Sequence, residues 1–356
     1  MDIMTCREIS NAFGPSGYED EAAELVRGLL PVPSQKDSMQ NVYAPLPQNH
    51  GAPMVLLDAH LDEVGFMIQS VQANGLLHVV PLGGWIEHNI PAHTFLIRTR
   101  KGSLVRAISA SKPPHFMSAA ERSAPLSMES ILLDAGVTSR EDALALGIEP
   151  GLFVVPEAEF SIRDETGIMM GKAFDCRLGC AALVDCVKQL ADETLPVDVT
   201  AVFSVQEEVG TRGARVAARK VAPRLAICLE GTPADDTFTP PDQAQGVVGG
   251  GVQLRFRDNS MVANPHLLDF ARSVAEECGI VHQCAVRTGG GTNAGAIHLE
   301  ATGIPTLVLG IPVRYAHTHY GISALSDVDA ASKLCAELLR RLTPDKIEEL
   351  CPEVCL

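Results

Sequence analysis

Apolar and polar residues follow two different patterns along the 356 residues of the chain. In residues 1–63, and again from residue 165 to the end, apolar runs of strand length alternate with segments in which apolar residues recur every three or four positions. The runs at 54–60, 197–205 and 225–230 predict buried strands, and the segments between them predict helices. This alternation is typical of an α/β fold.

Four segments have the apolar spacing of helices, at 18–30, 178–191, 264–279 and from Ser326 onward. In the third segment, Asn264 and Pro265 supply an N-cap and a first-turn proline, and Gly279 ends the helix. Ser326 to Asp329 resembles a capping box at the start of the last helix. One face of that helix is predicted to be core, through Val328, Ala331, Leu334, Cys335, Leu338, Leu339 and Leu342.

Between residues 64 and 164 the pattern changes to short β-like runs separated by turn signals such as Asn74-Gly75 and Lys101-Gly102. One short helical candidate, at 139–146, interrupts them. We therefore predict a small β-rich domain at 64–164, inserted into a larger discontinuous domain formed by residues 1–63 and 165–356. The predicted β runs lie at 65–71, 76–81, 95–100 and 104–110.

Two adjacent carboxylates, Glu207 and Glu208, follow the apolar run that ends at Val205. The carboxyl end of a parallel strand is where ligands bind in open α/β sheets. Burying two negative charges is unfavourable unless a positive group compensates them, and the strand itself contains no Lys or Arg. A metal ion and a strand end that faces water are both compatible with this pattern.

Other residues of the types that ligate metals lie at predicted strand ends or in turns. Each of them alone is more often structural, but together two imidazoles and several carboxylates favour a dinuclear site. Nitrogen and oxygen ligands without thiolate favour Zn²⁺, with Co²⁺ or Mn²⁺ as substitutes. The candidates are His60, Asp62, Asp175, Glu207, Glu208, Glu230, His317 and His319.

The spacing of two pairs suggests their roles. His60 and Asp62 are two residues apart on a strand and share a face, which suits a metal-ligating imidazole with a carboxylate to orient it. Glu207 and Glu208 are adjacent and diverge, so one can ligate metal while the other acts as general base.

Composition and charge exclude some classes of function. The formal net charge of −16 excludes a nucleic-acid-binding role, which needs clustered Lys and Arg. No apolar run is long enough to span a bilayer, and the first residues lack the pattern of a signal peptide, so we expect a cytoplasmic protein without a membrane partner. The ten cysteines form no Cys-x-x-Cys pair and are expected to be reduced.

Several motifs, in this order along the chain, resemble those of one enzyme family: Asp58-Ala-His-Leu-Asp-Glu-Val-Gly65, Ser111-Lys-Pro-Pro-His115, Gly171-Lys-Ala-Phe-Asp175, Gln206-Glu-Glu-Val-Gly-Thr-Arg-Gly-Ala214, Gly289-Gly-Gly-Thr292 and Arg314-Tyr-Ala-His317. The family is that of the dinuclear glutamyl and deblocking metalloaminopeptidases, which includes self-compartmentalising tetrahedral peptidases and members labelled endoglucanase. The resemblance implies a catalytic domain of the zinc-exopeptidase type, with a mixed central sheet flanked by helices, interrupted by a small β-barrel dimerisation domain.

The resemblance also implies roles for individual residues. His60 and Glu230 would ligate one metal, Glu208 and His317 the other, and Asp175 would bridge them. A hydroxide between the metals would attack the first peptide carbonyl of a short peptide, with Glu207 as general base and Asp62 orienting His60. Self-association, from a dimer up to a tetrahedral dodecamer, is likewise implied.

The chain departs from the family pattern at four positions. Glu230 stands where Asp is usual, Asn293 where the glycine-loop motif has Asp, Cys176 where a second acid often follows the bridge, and His319 where Pro is common. None of these changes removes a ligand type. They bear on metal preference and rate.

Three other functions remain to be compared. A glycosidase would need two carboxyls about 5 to 9.5 Å apart on opposite sides of the scissile bond, which neighbours on one strand end do not provide. A dinucleotide site at Gly289 to Ala294 lacks the acidic residue that would hold a ribose, so a close backbone turn near substrate is the better interpretation. A non-catalytic assembly homologue is supported only by the departures at Glu230 and Asn293.

Overall fold

A computed structural model of the protein describes residues 1–49 and 51–352; residue 50 and the last four residues of the predicted larger domain lie outside the described part. Strands are numbered in chain order as β1 (Gln35–Lys36), β2 (Val42–Pro45), β3 (Met54–His60), β4 (Gly65–Val71), β5 (Leu77–Leu82), β6 (Thr94–Arg98), β7 (Leu104–Ala110), β8 (Leu132–Asp134), β9 (Phe153–Pro156), β10 (Ser161–Arg163), β11 (Ile168–Gly171), β12 (Asp198–Ser204), β13 (Leu225–Pro233), β14 (Val252–Arg257), β15 (His282–Val286), β16 (Thr306–Val313) and β17 (Gly321–Ala324).

Helices are numbered in the same way as α1 (Ile3–Asn11), α2 (Asp20–Leu29), α3 (Ala119–Ser123), α4 (Arg140–Ala145), α5 (Phe174–Leu190), α6 (Arg212–Val221), α7 (Pro265–Glu277), α8 (Asn293–Ile297), α9 (Leu325–Arg341) and α10 (Pro344–Leu350). None of the described helices is long and apolar enough to cross a bilayer.

An eight-stranded sheet forms the centre of the molecule, in the order β1-β2-β12-β3-β13-β16-β14-β15. The four central strands run parallel, whereas β2 and β14 pair antiparallel with β12 and β16. Every residue of β12 is buried, as expected for a strand covered by helices on both faces. The predicted α/β fold with a mixed sheet flanked by helices is confirmed.

A closed barrel of six strands, in the order β4-β5-β8-β7-β6-β9, lies within the segment predicted to be β-rich. Its strands alternate buried and accessible residues, as in β6, and the inward side chains form a hydrophobic core separate from that of the central sheet. The prediction of only one helix in this segment was wrong. Besides α4 there is α3, whose five residues are too few to show a helical period and which depends on a capping box between Ser118 and Glu121.

The start of α7 agrees with the sequence prediction. Asn264 accepts hydrogen bonds from the amides of His266 and Leu267 at the start of α7, as predicted. The capping box predicted at Ser326 is wrong, because α9 begins at Leu325 and its N-cap has no side-chain hydrogen bond. Asp327 instead accepts hydrogen bonds from the amides of Gly249 and Gly251, at 2.7 and 2.9 Å.

The apolar face of α9 is buried as predicted. The first helix, α1, was not predicted, and Asp2 caps it by accepting a hydrogen bond from the amide of Met4. All nine cysteines in the described part of the chain are free thiols.

Candidate active site

Three neighbouring strands of the central sheet bring His60, Glu230 and the Glu207-Glu208 turn to one edge. His60 is the last residue of β3 and is in register with Ser204 at the end of β12, and β13 lies on the other side of β3. Gln206, in the turn after β12, has a φ of +57°, and the amides of Glu207 and Glu208 donate hydrogen bonds to Asp62, which follows β3. Parallel strands thus place these residues together, as the sequence predicted.

A small antiparallel sheet brings Asp175 and His317 to the same place. Strand β11 pairs with β17, and Gly171 is opposite Gly321. Asp175 lies just after β11, and His317 lies just before β17. Asp175 has φ −86° and ψ 109°, so it interrupts the first turn of α5 and directs its carboxylate away from the helix.

The five predicted metal ligands form one cluster, with Asp175 at its centre. Asp175 Oδ1 lies 3.3 Å from His60 Nε2, and Asp175 Oδ2 lies 3.4 Å from His317 Nε2. Glu230 Oε1 is 3.2 Å from His60 Nε2, and Glu208 Oε2 is 3.3 Å from His317 Nε2. One carboxylate therefore contacts two His-Glu pairs, one with each oxygen.

Glu207 lies beside this cluster. Its Oε2 is 3.9 Å from His60 Nε2, farther than the nearest oxygens of Asp175 and Glu230. Glu207 lines two clefts beside the cluster, and its side chain is 14% exposed, against 3% for that of Glu208.

The donor set fits divalent cations. Oε1 of Glu208 is buried and has no hydrogen-bond partner among the described residues, although a buried carboxylate oxygen normally has one. Ligating atoms of His60, Asp175 and Glu230 lie within 4.8 Å of one another, and so do those of Asp175, Glu208 and His317. Imidazole nitrogens and carboxylate oxygens are suitable ligands for Zn²⁺, Co²⁺ or Mn²⁺.

Cys176 lies next to Asp175 but is a poor ligand here. Its Sγ donates a hydrogen bond to the carbonyl oxygen of Leu229 at 3.1 Å. Burial raises the pKa of this thiol well above its usual value, so it remains protonated. The cluster therefore offers nitrogen and oxygen donors.

The pKa values of the cluster residues indicate an excess of negative charge. Burial alone would lower the pKa of His317, but the Glu208 and Asp175 carboxylates raise it to about 10. Burial raises the pKa of Glu208 to about 8, and that of Glu207 also lies well above its usual value for the same reason. Bound cations would compensate the same charge without protons.

Asp62 has two kinds of contact. Its carbonyl oxygen lies 3.1 Å from His60 Nδ1 and its Oδ1 lies 3.4 Å from the same nitrogen, so it is positioned to orient the imidazole. Its carboxylate also accepts hydrogen bonds from the amides of Glu207 and Glu208, at 2.9 and 3.0 Å, and from Ser16 Oγ at 2.6 Å. The sequence did not predict this second contact, because it depends on how the turn after β12 folds back.

His319, another candidate from the sequence, lies outside the cluster. Its ring is buried against the barrel, with its centroid 4.1 Å from that of His93 and 4.6 Å from that of Phe95. Neither ring nitrogen has a hydrogen-bond partner in the described part of the chain. Burial lowers its pKa to about 3, so the ring is neutral and packs as an aromatic side chain.

Asn293 stabilises the strand ends beneath the cluster. Its amide nitrogen donates to Asp58 Oδ2 at 2.7 Å and to Ser204 Oγ at 2.9 Å. Burial raises the pKa of Asp58 to about 7, and a neutral amide avoids adding a second charge beside it. This departure from the family pattern therefore fits its surroundings.

A cleft of about 450 Å³ opens from the cluster. Asp175, Glu207 and Glu230 line it, and the glycine loop Gly289 to Gly291 forms part of its wall. Arg255 and Arg287 line the same cleft. The sequence did not indicate these two arginines, since they follow strand patterns that carry no motif.

Comparison with known proteins identifies the class of this site. The structure of a TET aminopeptidase from a marine sediment Thaumarchaeota archaeon superposes with a TM-score of 0.93 at 34% identity, covering 98% of both chains. The TET1 peptidase of Pyrococcus horikoshii, which can assemble into a tetrahedron or a large octahedral shell, gives a TM-score of 0.86 at 28% identity, covering 96% of this chain and 99% of that one. The fold is that of an aminopeptidase, a peptide-bond hydrolase.

Sequence relatives give the family. The glutamyl aminopeptidase of Lactococcus lactis is 33% identical, over 84% of this chain and 83% of its own. The lysyl aminopeptidase of Pyrococcus furiosus is 30% identical, over 97% of this chain and 98% of its own. The family model of the M42 glutamyl aminopeptidases matches residues 40–334. The chain belongs to this family, as its motifs indicated.

Proposed function

We propose that the protein is a dinuclear metal-dependent aminopeptidase that removes N-terminal residues from short peptides. The observation that carries this proposal is the Asp175 carboxylate, whose two oxygens each contact a separate His-Glu pair. A carboxylate placed between two such pairs would be available to both ions of a two-metal hydrolytic site. His60 and Glu230 would hold one ion, and Glu208 and His317 the other.

Two divalent cations, Zn²⁺ in first place and Co²⁺ or Mn²⁺ as alternatives, would supply a water of lowered pKa and polarise the scissile carbonyl. Glu207 accepts a proton from that water and passes it to the departing amine. Burial supports this role, because a carboxylate with a raised pKa is a better proton acceptor near neutral pH. A substrate α-amine held at the cluster restricts cleavage to the first peptide bond.

Asp62 acts as a positioning residue. It fixes the His60 imidazole and, through the amides of Glu207 and Glu208, fixes the turn that carries the base and one ligand. This dual contact supports a preorganised site, since the base and both His-Glu pairs depend on one buried carboxylate.

We further propose that the chain self-associates, through a barrel domain at residues 64–164, into a dimer or larger assembly. The assemblies formed by the Pyrococcus horikoshii relative support this proposal. Two apolar side chains exposed on β7, Leu104 at 47% and Ile108 at 49%, also support it.

Chelation followed by metal addition tests the proposed function. We expect release of single N-terminal residues from aminoacyl-p-nitroanilides and short peptides to disappear on chelation and to return with Zn²⁺, Co²⁺ or Mn²⁺. Glu207→Gln should abolish turnover while the bound metal, measured by mass spectrometry, stays at two ions per chain. Glu165→Gln, at an exposed turn, is the control and should behave as the parent protein.

Two results would contradict the proposal. Turnover that survives Glu207→Gln would show that Glu207 is not the general base. A protein that binds no metal and cleaves no peptide would favour the non-catalytic assembly homologue.

A further inference from the structure

A buried glutamate outside the cluster contacts the turn that carries the proposed general base. Glu19 is 4% exposed and is the N-cap residue of α2, but its side chain makes no capping hydrogen bond with that helix. Its Oε1 instead accepts a hydrogen bond from the amide of Gln206 at 3.1 Å, a residue 187 positions away in sequence. The start of α2 therefore does not account for the direction of this side chain.

The contact with Gln206 extends the contacts that Asp62 makes with the same turn. Asp62 accepts hydrogen bonds from the amides of Glu207 and Glu208. Glu19 accepts one from the amide of Gln206, the residue before them. Gln206 has a φ of +57°, a conformation that a residue with a Cβ adopts only at a cost in energy. Such a conformation persists where surrounding contacts hold it, and two carboxylates here hold three consecutive amides.

Glu19 is buried without a compensating cation, in contrast to another buried glutamate, Glu63. The Glu63 carboxylate oxygens lie 2.5 and 2.7 Å from the ammonium nitrogen of the buried Lys172. Among the described residues no basic side chain forms an ion pair with Glu19. Burial, followed by repulsion from Asp62, raises the pKa of Glu19 to about 7. The surroundings thus disfavour its charged form, and stability of the fold does not explain why a glutamate is buried here.

The segment that carries Glu19 is fixed to both domains. The amide of Gly14 donates to Glu63 Oε1 at 3.2 Å, and the amide of Glu63 donates to the carbonyl oxygen of Gly14 at 3.0 Å. On the barrel side, the ring of Tyr18 packs on that of Phe153 in β9, with centroids 5.1 Å apart. A side chain on a segment held in this way can keep a partner amide in one place.

Both amide hydrogen bonds of the Glu19 side chain fall on the same oxygen. Oε1 accepts from the amide of Gly17 at 2.8 Å as well as from that of Gln206. A glutamine in the same conformation keeps an acceptor oxygen at this position, whereas a methionine of similar length does not. Substitution can therefore separate the acceptor from the charge.

We propose that Glu19 is a positioning residue for Glu207: by accepting the amide of Gln206, it holds the turn in the conformation that presents the general base to the cluster. This inference rests on the proposed aminopeptidase function. Glu19 lies outside the walls of both clefts beside the cluster, so its role is to fix the turn and not to bind substrate. The role requires the acceptor oxygen and not the charge.

Kinetics of metal-loaded variants test this role. Glu19→Met removes the acceptor and should lower kcat for aminoacyl-p-nitroanilides by roughly 10- to 100-fold, since a small displacement of a catalytic group has an effect of this size. KM should stay within about threefold. Glu208 would still be fixed by the ion it ligates, so metal content at saturating metal should remain two ions per chain.

Three further variants complete the kinetic test. Glu19→Leu, which also lacks the oxygen, should behave as Glu19→Met. Glu19→Gln keeps the acceptor and should retain kcat within about threefold of the parent value. Glu24→Met, the same change at an exposed position of α2, is the matched control and should leave kcat, KM and metal content unchanged.

Hydrogen exchange followed by mass spectrometry gives a readout that does not depend on turnover. In Glu19→Met we expect the turn at 205–209 to exchange roughly three- to tenfold faster than in the parent, the effect of one lost hydrogen bond. Exchange in the buried strand β12 should be unchanged. Glu19→Gln should exchange as the parent does in both segments.

Several results would overturn the proposal. Unchanged kcat or unchanged exchange of the turn in Glu19→Met would do so, and an equal loss in Glu19→Gln would assign the role to the charge. A loss of kcat that follows a loss of metal, or faster exchange throughout β12, would make Glu19 a purely structural residue. Absence of hydrolysis by the parent protein with any metal would overturn the proposed function instead, and hydrogen exchange would still decide whether Glu19 holds the turn.

Discussion

The carboxyl edge of the central sheet and the interior of the barrel are both buried, but they contain opposite kinds of side chain. At the sheet edge, His60, Asp62 and Glu230 are each at most 4% exposed. In the barrel, Phe66, Trp85 and Phe95 pack with ring centroids 4.8 to 6.1 Å apart. Buried charges destabilise a fold unless they are compensated, whereas buried rings stabilise it directly. The comparison indicates that the sheet edge is suited to chemistry, whereas the barrel interior contributes stability.

The loop after β5 connects the barrel to the cluster. Gly83 has φ +90°, and a Cβ there would lie 3.1 Å from Glu208 Cβ. A Cβ at Gly84 would lie 3.3 Å from His317 Nδ1. The loop after β5 therefore covers the half of the cluster formed by Glu208 and His317, and only glycine permits so close an approach.

The largest effect is expected from removal of the Asp175 carboxylate, which contacts both His-Glu pairs. Asp175→Ala should lower kcat/KM by at least roughly a thousandfold, because both His-Glu pairs lose their common partner and several kcal/mol of transition-state stabilisation are lost with the ions. Metal content and anilide hydrolysis would be measured together. Asp192→Ala, exposed just beyond the other end of α5, is the matched control. Retention of two ions per chain by Asp175→Ala would contradict the bridging role.

An intermediate effect is expected in the barrel core. Leu133 is fully buried on β8, so Leu133→Ala should lower the free energy of unfolding by about 2 to 5 kcal/mol. Activity below the unfolding transition should stay within about twofold. Urea denaturation and steady-state kinetics would measure the two effects. A large loss of kcat in the folded variant would show that barrel packing and site geometry are not separable.

The smallest effect on stability is expected at the barrel surface. Ile108→Lys places a charge on an exposed position of β7 and should change the free energy of unfolding by no more than about 0.5 kcal/mol. If the barrel mediates self-association, the same change should lower the particle mass measured by light scattering. Lys101→Glu, in the turn before β7, serves as a charge-changing control. An unchanged mass for Ile108→Lys would place the interface elsewhere.

The sequence predicted most of the fold because its two patterns differ in period. Parallel strands buried on both faces read as continuous apolar runs, and the barrel strands as short runs between turns. Elements without a full period were missed, such as α3. The start of α9 was misassigned because Asp327 binds a distant loop, and local spacing carries no information about such a contact.

The candidate site could be predicted to the extent that its residues lie at strand ends. His60, Glu208 and Glu230 converge because parallel strands end at one edge, and this needs no tertiary detail. His319 lies two residues after His317 in the same turn, but its ring packs against His93. Its orientation depends on contact with the barrel, which local sequence does not reveal. Arg287 carries no motif, and its place in the cleft wall is visible only once its neighbours are placed.

The cluster draws its residues from nearly the whole length of the chain, from His60 on β3 to His317 just before β17. During synthesis the amino-terminal part emerges first, so His60 and Asp175 are present long before His317 is added. A ribosome-bound chain that has not yet reached His317 lacks one member of the cluster and also β17, the strand that pairs with β11 just before Asp175. Such a nascent copy has an incomplete cluster, which can form only after residue 317 has been synthesised.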